Sequence, residues 1–302
     1  MKYLYYPGCC CALKDNGKAY EESLLAIFNA LKVDFEELDD WNCCGATVYM
    51  AVDETKSFAL AARNLALAEK QDPESKKATI VPPCSACCFV LDKAKRYMEE
   101  YPEIGEKIRT SLQAGGLSYA GRTVIRHPLD VLVNDIGLDR IAGMVKRPLK
   151  GLRVACYYGC LLVRPYASFD DQHNPMTMDR LLRAVGAEPI DWPLKTRCCG
   201  GSLTGTIEEV GLRLGYIILK EAQRRGADVI ATACPICMCN LECFQRTMSR
   251  EFKTESKLPA AYFTQLVGFA MGLDYRQIGL HRNFRNLPDF LLAEKKVHHV
   301  LA

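Results

Sequence analysis

Short apolar segments alternate with amphipathic ones along the chain. Residues 2–6 and 152–158 are rich in strand-forming side chains and lead to Gly-Cys turns, and two further segments, Ala78–Val81 and Asp228–Thr232, also predict buried strands. Between them apolar residues recur at helical spacing. The predicted helices are Lys18–Lys32, Glu54–Lys70, 88–99, Met178–Val185, Ile207–Arg225 and 239–251. Strands that alternate with helices predict α/β domains with mainly parallel sheets.

The pattern occurs twice. Each half contains, in one order, a Gly-Cys turn, a Cys-Cys-Gly element and a Cys-x-x-Cys element, with spacings C-x33-CC-x39-CxxC and C-x37-CC-x34-CxxC. The first cysteine set is Cys9, Cys43, Cys44, Cys84 and Cys87; the second is Cys160, Cys198, Cys199, Cys234 and Cys237. We therefore interpret the chain as a duplication of two pseudo-symmetric halves. The basic, Pro- and Gly-containing segment Ile141–Gly151 suggests a boundary, with domains of residues 1–145 and 146–302.

Composition excludes several classes of protein. The 302 residues are 49% hydrophobic and 25% charged, an ordinary globular profile, and the net charge of +3 comes without a basic run interleaved with aromatics, so no nucleic-acid partner is expected. The N-terminal residues lack the apolar stretch of a signal peptide, and no apolar run is long enough for a membrane span. We expect a cytoplasmic protein.

The 16 cysteines are the informative part of the composition. In a reducing compartment they indicate metal binding rather than disulfides. A structural zinc site closes with four ligands, usually from two knuckles, whereas each half offers five cysteines in three elements. Adjacent side chains diverge in extended backbone, so each Cys-Cys pair is expected to flank an object larger than one ion. This spacing favours a polynuclear iron–sulfur site over zinc.

Other metal-binding residue types add little. The five histidines show no ligand spacing against the cysteines, and we interpret His127 as structural and His298-His299 as a solvated tail. The remaining cysteines are interpreted as packing residues or free thiols: Cys10, Cys11, Cys88, Cys156, Cys239 and Cys243.

The repeated C-x(n)-CC-G-x(n)-CxxC module resembles the CCG-domain proteins. Three segments, Tyr5–Cys9, Asp40–Ala46 and Pro193–Gly201, resemble the B subunit of heterodisulfide reductase, and the match covers roughly 3–139 and 154–274. The resemblance implies that each cysteine set holds one non-cubane [4Fe-4S] cluster. It also implies a catalytic subunit that reduces the disulfide of coenzyme M and coenzyme B to two thiols between the clusters. Where that family often has His, this chain has Leu161.

The resemblance also implies partners. The chain has neither a ferredoxin-type cysteine run nor a G-x-G-x-x-G fingerprint, so it carries no evident flavin or nicotinamide site. Electrons would come from a ferredoxin-like C subunit, a flavin-containing A subunit and a hydrogenase or formate dehydrogenase. Because the implied substrate is anionic, Arg164, Lys195 and Arg197 are candidate substrate contacts.

Other functions stay open at this point. Related two-module subunits act in lactate oxidation or with thiol-dependent fumarate reductases, and a subunit of that kind would transfer electrons without reducing a disulfide. A zinc-binding assembly scaffold is the remaining alternative.

Overall fold

Two four-stranded parallel sheets form the framework of the molecule. The computed structural model describes residues 2–12, 17–46, 48–255 and 257–285. The strands are β1 (Tyr3–Tyr5), β2 (Phe35–Glu37), β3 (Ala78–Val81), β4 (Thr123–Ile125), β5 (Arg153–Tyr157), β6 (Glu188–Pro189), β7 (Val229–Thr232) and β8 (Ala260–Tyr262). The sheet orders are β2-β1-β3-β4 and β6-β5-β7-β8, and every pairing is parallel. The predicted fold class, two α/β halves with parallel sheets, is confirmed.

Helices connect the strands. In the first half they are α1 (Gly8–Ala12), α2 (Gly17–Ala30), α3 (Val48–Val52), α4 (Glu54–Gln71), α5 (Ser85–Glu100), α6 (Pro102–Ala114), α7 (Pro128–Asp130), a π-helical stretch (Val131–Gly137) and α8 (Leu138–Gly143). In the second half they are α9 (Thr177–Ala184), α10 (Glu208–Arg224), α11 (Pro235–Glu242), α12 (Gln245–Glu251), α13 (Phe263–Ala270) and a 3₁₀ turn (Leu280–Arg282). None of the helices in the described ranges is long and apolar enough to cross a membrane.

Two helix predictions need correction. The segment 239–251 is two helices, because α11 ends at Glu242 and α12 begins at Gln245. Helices α5 and α11 also begin earlier than expected, at Ser85 and Pro235. The Cys-x-x-Cys elements therefore lie at helix N-termini rather than in loops, with Cys84 and Cys234 as N-cap residues.

The halves pack through equivalent surfaces. Helix α2 of the first half lies against α13 of the second, and α9 of the second lies against α8 of the first. Tyr20 stacks on Tyr262 with ring centroids 4.5 Å apart, and the buried hydroxyls of Ser23 and Thr264 are 2.6 Å apart. Reciprocal helix contacts of this kind are typical of a pseudo-two-fold axis between the halves.

The strand order determines where a site can form. The central strands are β1 and β3 in the first sheet and β5 and β7 in the second. The next strand along the chain after each central strand lies at the outer edge beside it, so the strand order reverses between the two central strands. Ligands of such open parallel sheets bind outside the carboxyl ends of the strands, where the order reverses. Each cysteine element follows a strand at this edge, so the fold gathers each set at the carboxyl edge of its own sheet.

Candidate functional site

Glycine turns bring the cysteines of each set into contact. Gly8 and Gly159 have φ angles of +66° and +73°, and a Cβ atom at these positions would lie 3.4 Å from the sulfur of Cys87 and 3.2 Å from that of Cys237. Only glycine adopts this conformation without strain. The Gly-Cys turn after β1 or β5 therefore passes directly over the Cys-x-x-Cys element of the same half.

The first set is a string of touching thiols. The Cys44 and Cys87 sulfurs are 3.3 Å apart, and Cys43 hydrogen-bonds with both Cys9 and Cys44. Hydrogen bonds from Cys44 and Cys9, together with the backbone N–H of Gly45, hold the pKa of Cys43 well below its ordinary value. The expectation that adjacent side chains diverge is wrong here, because Cys43 and Cys44 lie outside any strand.

The second set repeats this arrangement with one difference. The Cys199 and Cys237 sulfurs are 3.4 Å apart. The backbone N–H of Gly200 donates to the Cys198 sulfur and that of Gly201 to the Cys199 sulfur, and each N–S distance is 3.3 Å. A hydrogen bond from the Cys160 thiol and the N–H of Gly200 lower the pKa of Cys198 to about 6. Cys198 is exposed, whereas its equivalent Cys43 is half-buried.

The two sets meet between the halves. The Cys84 thiol hydrogen-bonds with Cys234, and both are N-cap residues of their helices. Hydrogen bonds from Cys237, Cys84 and the first-turn N–H groups of α11 lower the pKa of Cys234, and the pKa of Cys84 is raised because it donates. Nine thiols thus form an unbroken string: Cys10, Cys9, Cys43, Cys44, Cys87, Cys84, Cys234, Cys237 and Cys199.

This donor arrangement fits a polynuclear sulfur-ligated group. Two thiolates on one tetrahedral ion, with metal–sulfur bonds of about 2.3 Å, lie about 3.8 Å apart. The close pairs at 3.3 and 3.4 Å are shorter than that spacing by about half an ångström. Across the described ranges, no three His, Cys, Asp or Glu side chains converge on a point that would hold a single ion. Iron–sulfur clusters are held by Cys thiolates, and both sets consist of cysteines alone.

A cavity of about 340 Å³ opens beside the second set, between the halves. Its walls include all five cysteines of that set and none of the first set. The other described residues that line it are uncharged: Ala46, Met50, Ala51, Ser85, Ala86, Phe89, Val90, Tyr158, Gly159, Leu161, Gly201, Ser202 and Ile236. The first half contributes residues next to its cysteines in sequence, such as Ser85 and Ala86 between Cys84 and Cys87.

The three candidate substrate cations lie outside this cavity wall. Lys195 is buried and its ammonium is 2.8 Å from the Asp179 carboxylate, so its charge is already paired. Arg164 lines a neighbouring small cavity, donates to the Thr196 carbonyl and helps to lower the pKa of Cys198. Arg197 is exposed beside Cys198. Of the three, Arg164 and Arg197 are thus close to the second set, and the Lys195 ammonium is engaged in a buried ion pair.

Some histidines and cysteines outside the two cysteine sets have defined places in the structure. His127 is buried and its Nε2 lies 3.1 Å from the Ala233 carbonyl and 3.3 Å from the Tyr20 hydroxyl, which agrees with a structural role. Cys10 and Cys239 line a second cavity between the halves, of about 210 Å³. When the two halves are aligned on their cysteines, Cys10 pairs with Leu161 and Cys239 pairs with Phe89. His298-His299 lie outside the described residues.

Comparisons with known proteins agree with this geometry. Residues 3–92 and 154–242 each match the model of the CCG family, described as a cysteine-rich domain. The chain is 30% identical to a protein of Archaeoglobus profundus named as similar to the B subunit of heterodisulfide reductase, with 92% of this chain and 93% of that protein covered. It is 27% identical to the B subunit of ferredoxin:CoB-CoM heterodisulfide reductase of Methanosarcina mazei, with 93% of each chain covered.

Two further matches widen the comparison. The chain is 28% identical to the 8-methylmenaquinol:fumarate reductase membrane anchor subunit of Wolinella succinogenes, covering 93% of this chain and 96% of that protein. A solved structure of a hypothetical protein from Helicobacter pylori has the same fold, with a TM-score of 0.74 at 14% identity. The match covers 93% of this chain and about half, 51%, of that one.

The Methanosarcina and Wolinella relatives are named as subunits of reductases, and the two cysteine-rich domains of this chain, taken with these relatives, indicate an iron–sulfur component of an oxidoreductase complex. Two matched domains that together cover more than half of the chain settle its family. The chain belongs to the CCG cysteine-rich domain family and is a relative of the B subunit of heterodisulfide reductase.

Proposed function

We propose that this chain is the disulfide-reducing subunit of a heterodisulfide reductase-type complex. The observation that carries the proposal is the contact of Cys84 with Cys234 between the halves, because it links the first cysteine set to the second, whose five cysteines line a cavity of small-molecule size. Each set holds one [4Fe-4S] cluster of the non-cubane type. The disulfide of coenzyme M and coenzyme B is the reference substrate, because the relatives are named for it.

The reaction needs two electrons and two protons. One disulfide, RS–SR′, accepts them, its S–S bond breaks, and two thiols, RSH and R′SH, leave. The two cysteine sets would hold the clusters, which when bound would supply the electrons one at a time. The protein excludes water with uncharged walls and holds the second-set sulfurs through the N–H groups of Gly200 and Gly201. Low local polarity strengthens the hydrogen bond to the buried Cys199 sulfur.

The electrons have to arrive from outside the chain. In the proposed complex a ferredoxin-like C subunit delivers them from a flavin-containing A subunit, which a hydrogenase or formate dehydrogenase reduces in the cytoplasm. The exposed thiol of Cys198 marks the side of the second set that is nearest the surface.

Metal analysis and turnover test the proposal together. Purified without oxygen, the chain should contain about eight iron and about eight acid-labile sulfide, as expected for two four-iron clusters. With a reduced viologen dye it should release two thiols per coenzyme M–coenzyme B disulfide. Stoichiometric zinc with little iron would overturn the cluster assignment and favour the assembly scaffold.

A second candidate is an electron-transfer subunit of a fumarate reductase-type or lactate-oxidising complex. The Wolinella relative and the uncharged cavity wall favour it. Such a subunit would contain the same iron and accept electrons from the dye, yet release no thiol from any disulfide. Thiol release therefore separates the two functions.

A further inference from the structure

The segments that lead to the two Cys-Cys elements differ in charge. Residues 36–42, before the first element, contain four carboxylates and no lysine or arginine. Residues 191–197, before the second element, contain two cations and one carboxylate. The duplication has thus kept the cysteines of the two sets alike and changed the charges that lead up to them along the chain.

Ion pairs cancel part of this difference. Lys2 and Arg63 each pair with one carboxylate of the first segment, over 2.7 and 2.5 Å. Asp179 pairs with Lys195 of the second segment over 2.8 Å, which leaves that segment with one charge of each sign. The charges that remain in the two segments are mostly exposed, and water and salt screen such charges. A less exposed charge therefore decides which set has the more positive surroundings.

Arg164 is such a charge beside the second set. It follows the second Gly-Cys turn and is only partly exposed, and its guanidinium donates to the carbonyl oxygen of Thr196, two residues before Cys198. The guanidinium is therefore anchored next to the Cys-Cys element, and its charge helps to lower the pKa of Cys198. At the corresponding position after the first turn the sequence has an uncharged residue, Leu13.

Two carboxylates share a cavity of about 40 Å³ with Arg164, but each is already paired with another arginine. Asp92 accepts from Arg96 over 2.8 Å, and Asp130 pairs with Arg126. The charge of Arg164 is thus left to act on the second set. Partial burial strengthens this action, because the local dielectric constant is lower than that of water.

Binding of iron would preserve the difference between the sets. Hydrogen bonds from one thiol to another need protons on sulfur, and these are lost when the thiols become metal ligands. The low pKa of Cys43 depends mainly on such donors. Backbone donors remain, and the N–H of Gly200 lies 3.3 Å from the Cys198 sulfur. The matching N–H of Gly45 lies 3.5 Å from the Cys43 sulfur. The second set therefore keeps the shorter of these two hydrogen bonds and a neighbouring cation.

We propose that Arg164 raises the reduction potential of the cluster site formed by the second set above that of the first. A single electron then resides beside the cavity of about 340 Å³. Positive charge and hydrogen bonds to sulfur raise such potentials, because reduction adds a negative charge to the site. The transfer moves one electron from the first set to the second, and no bond forms or breaks. Arg164 is a positioning residue in this step, because it acts through the site and not on the substrate.

The inference rests on the two cluster sites of the proposed function and adds the order in which they are reduced. A redox titration of the full, cluster-loaded chain without substrate, followed by EPR and visible absorption, tests that order. It should resolve two one-electron steps. Cys87→Ser, which loses the first site, should keep the step of higher potential, and Cys237→Ser should keep the step of lower potential. Coincident steps, or the reverse assignment in these variants, would overturn the inference.

Substitution of the guanidinium tests its role. Arg164→Gln should lower the equilibrium constant for reduction of the second site about tenfold, a shift of about 59 mV for a one-electron couple, with the other step and the iron content unchanged. Arg164→Lys keeps the charge and should keep most of the potential. Arg224→Gln, at an exposed arginine in the last turn of α10, should shift neither step. No shift in Arg164→Gln, or an equal shift of both steps, contradicts the inference.

Thiol release separates this inference from the proposed function. Reversed or coincident steps in a chain that still releases thiols from the coenzyme M–coenzyme B disulfide overturn the inference alone. Two steps in the expected order that respond to Arg164→Gln, without thiol release from any disulfide, support the inference and overturn disulfide reduction. Stoichiometric zinc in place of iron overturns both.

Discussion

The Lys195 ammonium is held inside the second half by three acceptors. Besides Asp179 at 2.8 Å it contacts the Pro175 carbonyl and the Met176 sulfur, each at 3.2 Å. Asp179 in turn accepts a hydrogen bond from the Tyr158 hydroxyl at 2.7 Å. An anionic substrate would have to break this buried pair, so we expect Lys195 to contribute to stability rather than to substrate binding.

Replacing one partner tests this expectation. Lys195→Met should lower the free energy of unfolding by about 3–5 kcal/mol, because it leaves the Asp179 carboxylate buried and unpaired. The double variant Lys195→Met/Asp179→Leu should recover most of the loss, and Arg197→Met, at the exposed neighbouring cation, should change it by less than about 0.5 kcal/mol. Urea unfolding measures all three. A raised KM with unchanged stability in Lys195→Met would instead make this lysine a substrate contact.

At the same scale the sequence predicted residue types better than their contacts. Spacing identified the ten cysteines of the repeated module, since three elements recur in one order. It could not show that Cys43 and Cys44 touch, because that depends on a local departure from extended backbone. Nor could it show that Lys195 is buried while Arg197 is exposed, because both belong to one irregular segment with no periodicity.

The end of helix α11 is a feature that the apolar periodicity of the sequence could not predict. Apolar spacing runs through 239–251, yet the helix ends at Glu242, where the carboxylate accepts a hydrogen bond from the backbone N–H of Phe284 at 2.9 Å. This contact comes from a segment 42 residues away, so no local pattern contains it. Burial, and to a lesser extent the nearby Cys243, raise the pKa of Glu242 to about 8.

The raised pKa predicts a pH-dependent stability. In the unfolded chain a glutamate titrates near pH 4.3, so between there and about pH 8 the folded form holds a proton that the unfolded form has lost. The contribution of Glu242 to the free energy of unfolding is therefore fully present below about pH 4.3. It falls as pH rises through the window, by up to roughly 1.4 kcal/mol per pH unit, and levels off above about pH 8.

Matched glutamine variants isolate this contribution. Glu242→Gln should flatten the fall in unfolding free energy between about pH 5 and about pH 8, as measured by urea unfolding at each pH. Glu251→Gln, at an exposed carboxylate in the next helix, should leave the slope as in the wild type. An unchanged slope in Glu242→Gln would mean that the carboxylate is ionised in the folded protein.

For the molecule as a whole, duplication was the feature that the sequence revealed most fully. It predicted the two α/β halves and the strand ends that carry the cysteines. It could not predict which surfaces the halves would share, because the contact of Tyr20 with Tyr262 joins residues far apart in the chain. The meeting of Cys84 and Cys234 follows from that packing, and so does the unequal access of the two sets to the large cavity.

Unequal access raises the question of whether both sets take part in one reaction. Only second-set cysteines line the cavity of about 340 Å³, so the first set could be a separate electron carrier. The thiol string argues for joint action, because Cys84 and Cys234 leave no protein layer between the sets. A disulfide also needs two electrons in one encounter, which two adjacent one-electron groups can provide.

We therefore expect that loss of either set eliminates disulfide reduction. Cys87→Ser and Cys237→Ser each replace a soft thiolate by a harder, weaker ligand for iron, and each should lower the iron content by about half and abolish thiol release with a reduced viologen dye. Cys243→Ser, outside both sets, should keep iron content and turnover near the wild-type values. Because the dye can reduce either set directly, a mere carrier would be dispensable in this assay. Substantial turnover in Cys87→Ser after loss of its iron would therefore assign the reaction to the second set alone.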